Sequence, residues 1–138
     1  MKQEKGNSIV EFALLAPILL LLLFGLVDFG RVFDAWVVTT NAAREGARYA
    51  ASYASQDYLT TAQVQQLARQ KALDYLNDGL GARPDVTYAS SDIVVTLPTK
   101  EPGQPVTVDV EVHVQIWAML DMFLSNPASI HSSATMRI

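Results

Sequence analysis

The chain has 138 residues, half of them hydrophobic, with ten Lys and Arg against fourteen Asp and Glu. Its formal net charge of −4 and lack of any basic patch argue against nucleic acid as a partner. There is no cysteine, which excludes disulfides, thiol nucleophiles and cysteine-ligated metals.

The apolar content is concentrated near the N-terminus. Phe12 to Val27 carries no formally charged residue, and adding Ile9 and Val10 brings the stretch close to the ~20 residues that cross a ~30 Å hydrocarbon core. A secretory signal would have a shorter apolar centre followed by a small-x-small cleavage site. Val27-Asp28-Phe29-Gly30-Arg31 offers none. A buried core helix is disfavoured because so small a domain could hardly surround Leu19 to Leu23 on every side. Residues 9–27 therefore read as a membrane anchor. Lys2 and Lys5 on the short side favour a cytoplasmic N-terminus, with the remaining hundred or so residues outside.

Glu11 stands out inside this segment, because a lone carboxylate in hydrocarbon is expensive unless paired or neutralised. A position near the headgroups, where a helix N-terminus favours an anion, is the simpler alternative.

The helix is expected to continue past the anchor to about Ser55, since no proline interrupts Arg31 to Ser55 and alanine is frequent. Pro17 removes one backbone hydrogen bond, so a kink or local unwinding is expected there. Gly25, Gly30 and Gly46 are local weak points rather than stops. In "NAAREGARYAASYA" the small residues form two rows. Ala43, Ala47 and Ala51 make one, and Ala42, Gly46, Ala50 and Ala54 the other. Such rows permit close approach of a neighbouring element, either the protein's own head or another subunit. Arg44 and Arg48 repel slightly across one turn, and Glu45 offsets part of that.

A second helix is signalled by the capping box Thr60/Gln63 and the apolar stripe Val64, Leu67, Ala68, Ala72, Tyr75 and Leu76. Gly79 and Gly81 are expected to end it, with Pro84 beyond. Strand alternation follows at Ile93, Val95 and Leu97. It is clearest in "PVTVDVEVHVQI", where Val106, Val108, Val110, Val112, Val114 and Ile116 share one face. The turn-rich Pro98–Pro105 joins the two as a hairpin. The C-terminal strand points Ile130, Ala134, Met136 and Ile138 inward. Met119, Leu120, Met122, Phe123 and Leu124 suggest a short helix closing the core, or an apolar patch for a partner or membrane surface. The fold class is α+β: a long N-terminal helix, with a second amphipathic helix packed on a small antiparallel sheet of three strands or slightly more.

Chemistry is weakly signalled. His113 and His131 lie on polar strand faces near Asp109 and Glu111, but two histidines are thin grounds for a metal site. The serines at 125, 129, 132 and 133 lie in no nucleophile motif. No catalytic residue, metal ligand or cofactor is assigned.

"GNSIVEFALLAPILLLLLFGLVDFGR" followed by "NAAREGARYAA" resembles the TadE-like proteins of the tight-adherence (Flp-type) pilus system. The residues carrying the likeness are Glu11, Phe12, Pro17, Gly25, Asp28, Gly30 and Arg31, with the run Ala43-Arg44-Glu45-Gly46-Ala47-Arg48. The resemblance implies a bitopic, non-enzymatic minor pilin or pseudopilin of a bacterial inner membrane. It also implies a prepilin peptidase that cuts between Gly6 and Asn7, making Glu11 the fifth residue of the mature chain. Residues 1–6 would then be a leader, 7–55 the long helix and 56–138 the extracytoplasmic head. The implied partners are other pilin subunits or further copies of this chain, the peptidase, the inner-membrane assembly platform and the bilayer. The competing reading is an anchored binding or adhesion module that does not polymerise, with Gly6 uncleaved.

Overall fold

The structure, a computed structural model, describes residues 2–116 and 127–138, with side chains of the first helix described from Ser8 onward. The apolar stretch Met119, Leu120, Met122, Phe123 and Leu124 lies outside the described residues.

Helix α1, Lys2–Ala54, is unbroken over 53 residues and therefore about 80 Å long. Pro17 lies within it, and helical assignment continues on both sides. Helix α2, Thr61–Leu80, begins with the expected capping box: Thr60 Oγ1 accepts from the Gln63 N–H, and Gln63 Oε1 accepts from the Thr60 N–H at 2.8 Å. The turn between the helices is held by Lys100, whose ammonium donates to the carbonyls of Gln56 at 2.5 Å and Leu59 at 2.6 Å. A hairpin-loop cation thereby satisfies carbonyls just past the end of α1, which has no basic residue in its own last turn.

The sheet has four antiparallel strands: β1 (Val86–Thr87), β2 (Ile93–Thr96), β3 (Pro105–Val114) and β4 (Ala128–Arg137). β3 is the spine. It pairs with β4 from Pro105↔Arg137 to Val114↔Ala128, and on its other side with β2 and β1. The two-residue strand β1 is an addition to the three expected from alternation, being too short to show any. Val106, Val108, Val110, Val112 and Val114 are wholly buried against the helices, while Thr107, Asp109, Glu111 and His113 form the outer face. That is the period-two alternation of a sheet with one covered face.

Two expectations for α2 need correction. Gly79 does not end the helix but lies within it, one residue before Leu80. A Cβ at Gly79 would come within 2.6 Å of Val38 Cγ1 on α1, so its role is close approach of the two helices. The buried stripe is Val64, Ala68, Ala72, Leu76 and Leu80. Leu67 and Tyr75 stand at its margin, each 38% exposed. Both are offset toward the polar side of a stripe whose middle is filled by small residues.

The small-residue rows of α1 face the head. Ala42, Ala43, Ala47, Ala50 and Ala54 are buried in the same core as the sheet valines. A Cβ at Gly46 would lie 3.2 Å from Ala72 Cβ, 3.3 Å from the Ala68 carbonyl oxygen and 3.3 Å from Val108 Cγ1. Gly46 therefore marks the point where α1, α2 and β3 approach most closely. Of the two partners expected for these rows, the protein's own head occupies this face.

Candidate functional site: an uncovered span and the charged clasp above it

Below the head, α1 is uncovered. Ile9, Val10, Phe12, Leu14, Leu15, the run Ile18 to Phe24, Leu26 and Val27 are all exposed within the chain. The helix is long and apolar enough to cross a membrane, and its most apolar 18 residues have a mean hydropathy of 2.6 with none of them buried. A helix from a soluble core would hide these side chains, because each exposed Leu or Phe forgoes ~1.5–3 kcal/mol of burial in water.

Glu11 lies on this exposed stretch, one helical turn from residue 7, and its neighbour Phe12 is 68% exposed. Pro17 is exposed six residues further on. Gly6 and Asn7 belong to the helix backbone, and their side chains lie outside the described residues. Gly30 has open space around its Cα, so it makes no close contact to another element among the described residues.

Where the span ends, α1 meets a cluster of charges that the sequence reading identified only in part. Asp28 and Arg31 are one turn apart and pair at 3.0 Å. Arg31 also reaches Asp85 at 2.7 Å, across from the segment between α2 and β1. Arg83, in the same segment, binds Asp85 at 2.7 Å and Asp34 of α1 at 2.8 Å. Its guanidinium further donates to the Arg31 carbonyl at 3.3 and 3.4 Å. Asp28 and Asp85 are each only 5% exposed. One carboxylate thus accepts from two arginines, and the two chain segments are stapled together at the foot of the head.

The Arg83 hydrogen bond is the largest influence on Asp85. With a smaller contribution from Arg31 it outweighs desolvation and draws the carboxyl down to about 2. Asp34, Arg83 and Asp85 escaped the sequence reading because their partners lie about fifty residues away. A local signal existed in Arg83-Pro84-Asp85, two opposite charges held around a proline just after a helix end.

Higher on α1, Arg48 grips Glu45 with two hydrogen bonds of 2.7 and 3.0 Å, and Arg44 is exposed. On the outer sheet face His131 Nε2 is 3.9 Å from Asp109 Oδ1, and His113 Nδ1 is 3.0 Å from Ser129 Oγ. Among the described residues no group of three or more potential metal ligands comes together.

No curated protein and no solved structure matches this chain. A family model does match, and it covers the exposed span, Asp28, Arg31 and Asp34 of the clasp, and the first part of the small-residue rows, Ala42, Ala43, Gly46 and Ala47. Residues 6–48 match the family model described as TadE-like protein.

Proposed function

We propose that this chain is a pilus-assembly protein of the tight-adherence type, a minor pilin or pseudopilin that acts through its N-terminal helix rather than through catalysis. The observation that carries the reading is the uncovered apolar half of α1, preceded by Gly6 and bearing Glu11, within the TadE-like segment. In this reading residues 9–27 cross the bacterial inner membrane with the N-terminus in the cytoplasm and the head outside. A prepilin peptidase removes residues 1–6.

Cleavage brings a new cation close to Glu11. The new α-amino group on Asn7, from the same chain or an adjacent subunit, is a cation that can pair with Glu11 in a low-dielectric setting. A subunit entering a filament in register brings the two groups together, whereas one out of register forgoes that pairing. Other pilin subunits or further copies of this chain, and the inner-membrane assembly platform, are then its partners.

The test is the intact mass and N-terminal residue of the chain recovered from its native membrane, with and without prepilin peptidase activity. A chain starting at Asn7 only when the peptidase is active supports the pilin pathway. A chain that retains residues 1–6 under both conditions overturns it and leaves a bitopic anchor.

A further inference from the structure

Above the span, α1 is two-sided. Asp28, Arg31 and Asp34 point into the clasp, two of them against the segment that follows α2. At 100° per residue, Phe29, Phe33 and Trp36 lie roughly 170° around the helix from that charged group. Their rings form a continuous row, with centroids 6.2 Å apart between Phe29 and Phe33 and 5.7 Å between Phe33 and Trp36. They stay 67%, 52% and 47% exposed. The groove beside them is about 350 Å³ and is completed by Val32 and by Ser129, Ile130 and His131 of β4. No carboxylate lines it among the described residues.

The level of this row follows from helix arithmetic. A span beginning at Ile9 uses its ~20 residues by about Asp28, and the headgroup zone adds ~5–7 Å on each side. Phe29 therefore stands at the hydrocarbon boundary and Phe33 about 6 Å above it. The Trp36 Cα is about 10 Å above the boundary, beyond that zone, and its side chain, which tilts toward the helix N-terminus, reaches back down toward it. The sheet comes down to the same level. Ile116, just past β3, and Ala128, at the start of β4, line a largely apolar notch with Leu22, Gly25, Asp28 and Phe29. Among the described residues no stalk separates the head from the span.

We propose that the Phe29–Phe33–Trp36 row and its groove are a seat for the lipid headgroup zone, so that the head rests directly on the bilayer. The inference rests on the reading of residues 9–27 as a membrane span. Charge and ring chemistry select lipid as the occupant. The row continues the exposed apolar surface of the span without a gap, and amphipathic rings are stable where hydrocarbon meets polar headgroups. Among the described residues, Asp28, Arg31 and Asp34 at this level are engaged in the clasp, on the side of the helix away from the row.

The chain has two tryptophans, so Trp117→Phe leaves Trp36 as the sole reporter. The full chain carrying this change is reconstituted in phosphatidylcholine–phosphatidylglycerol vesicles containing lipids brominated near the headgroup or near the acyl terminus. Resistance to alkaline extraction is measured on the same vesicles. The expected result is membrane-resistant protein whose Trp36 is quenched roughly twice as strongly by the shallow bromines as by the deep ones. Phe33→Trp in a chain lacking both native tryptophans should be quenched more strongly still by the shallow bromines. Extraction-resistant protein with Trp36 reached by aqueous acrylamide but not by brominated lipid overturns the seat while leaving the span intact. So does Trp36 shielded from both quenchers, which means that a second copy covers the row. Protein released by alkali overturns the span, and the seat with it.

Discussion

The two halves of α1 invert the usual relation between hydrophobicity and burial. Residues 8–27 are the most apolar part of the chain and are exposed, whereas residues 35–54 are rich in alanine and have Ala35, Ala42, Ala43, Ala47 and Ala50 at 0% exposure. One helix is therefore built for two solvents. On the proposed membrane reading, the lower half carries bulky Leu, Ile and Phe because fluid hydrocarbon accepts large side chains without needing a matching shape. The upper half carries small residues because its surroundings are α2 and β3, rigid neighbours that come close only where side chains are short. Asp28 and Arg31 mark the change, joined to Asp85 at the level where the surroundings become polar.

That contrast can be broken from either side. Gly46→Leu forces a branched side chain into a point already 3.2–3.3 Å from three atoms of α2 and β3. It should destabilise the head by about 3 kcal/mol or more, seen as a lowered Tm in detergent. The same size of residue is native at Leu22 in the span. Conversely, Leu20→Arg should leave the head's Tm unchanged but oppose membrane insertion by about 3 kcal/mol, read as loss of extraction-resistant protein. If Leu20→Arg lowers the Tm of the head as much as Gly46→Leu does, the two halves are not independent.

The clasp sharpens the comparison by way of pH. Asp85 has a folded-state value of about 2 against an ordinary 3.8, so the folded state binds the proton more weakly than the unfolded chain. The resulting stability, about 2 kcal/mol, is present in full above pH ~4 and is lost as pH falls from there toward 2. Urea midpoints between pH 6 and pH 2.5 should show this fall, and Asp85→Asn should reduce both the stability at pH 6 and the size of the fall. The smallest effect is expected at Glu45. Its pair with Arg48 is held by two hydrogen bonds but faces solvent, so Glu45→Gln should change stability by under about 0.5 kcal/mol.

Several elements were legible from local pattern because their causes are local. The capping box at Thr60 and Gln63 acts within one turn, and the valine alternation of β3 acts through the two-residue repeat of a strand. The long helix follows from composition and the lack of an interior proline after Pro17. Gly79 was misread as a stop, since a glycine near a helix end carries the same local signal whether it terminates the helix or admits a neighbour. Only Val38, forty-one residues earlier, distinguishes the two cases. β1 is two residues long and exists because β3 offers Val114 and His113 as partners. Ser132 shares the inward parity of Ile130 and Ala134, and only the fold supplies the partner for its buried hydroxyl, that of Thr40 at 3.0 Å.

The sequence by itself determined that this chain has one segment suited to hydrocarbon, a second amphipathic helix and an alternating sheet, because helix propensity, capping and apolar periodicity are properties of neighbouring residues. It also carried the TadE-like signature from residue 6 to residue 48. Tertiary structure alone decided which partner the small-residue rows take, why Gly79 is a glycine, and that Arg31 and Arg83 converge on Asp85. Those outcomes depend on contacts between segments far apart in the chain, and no short stretch of sequence contains both halves of any of them.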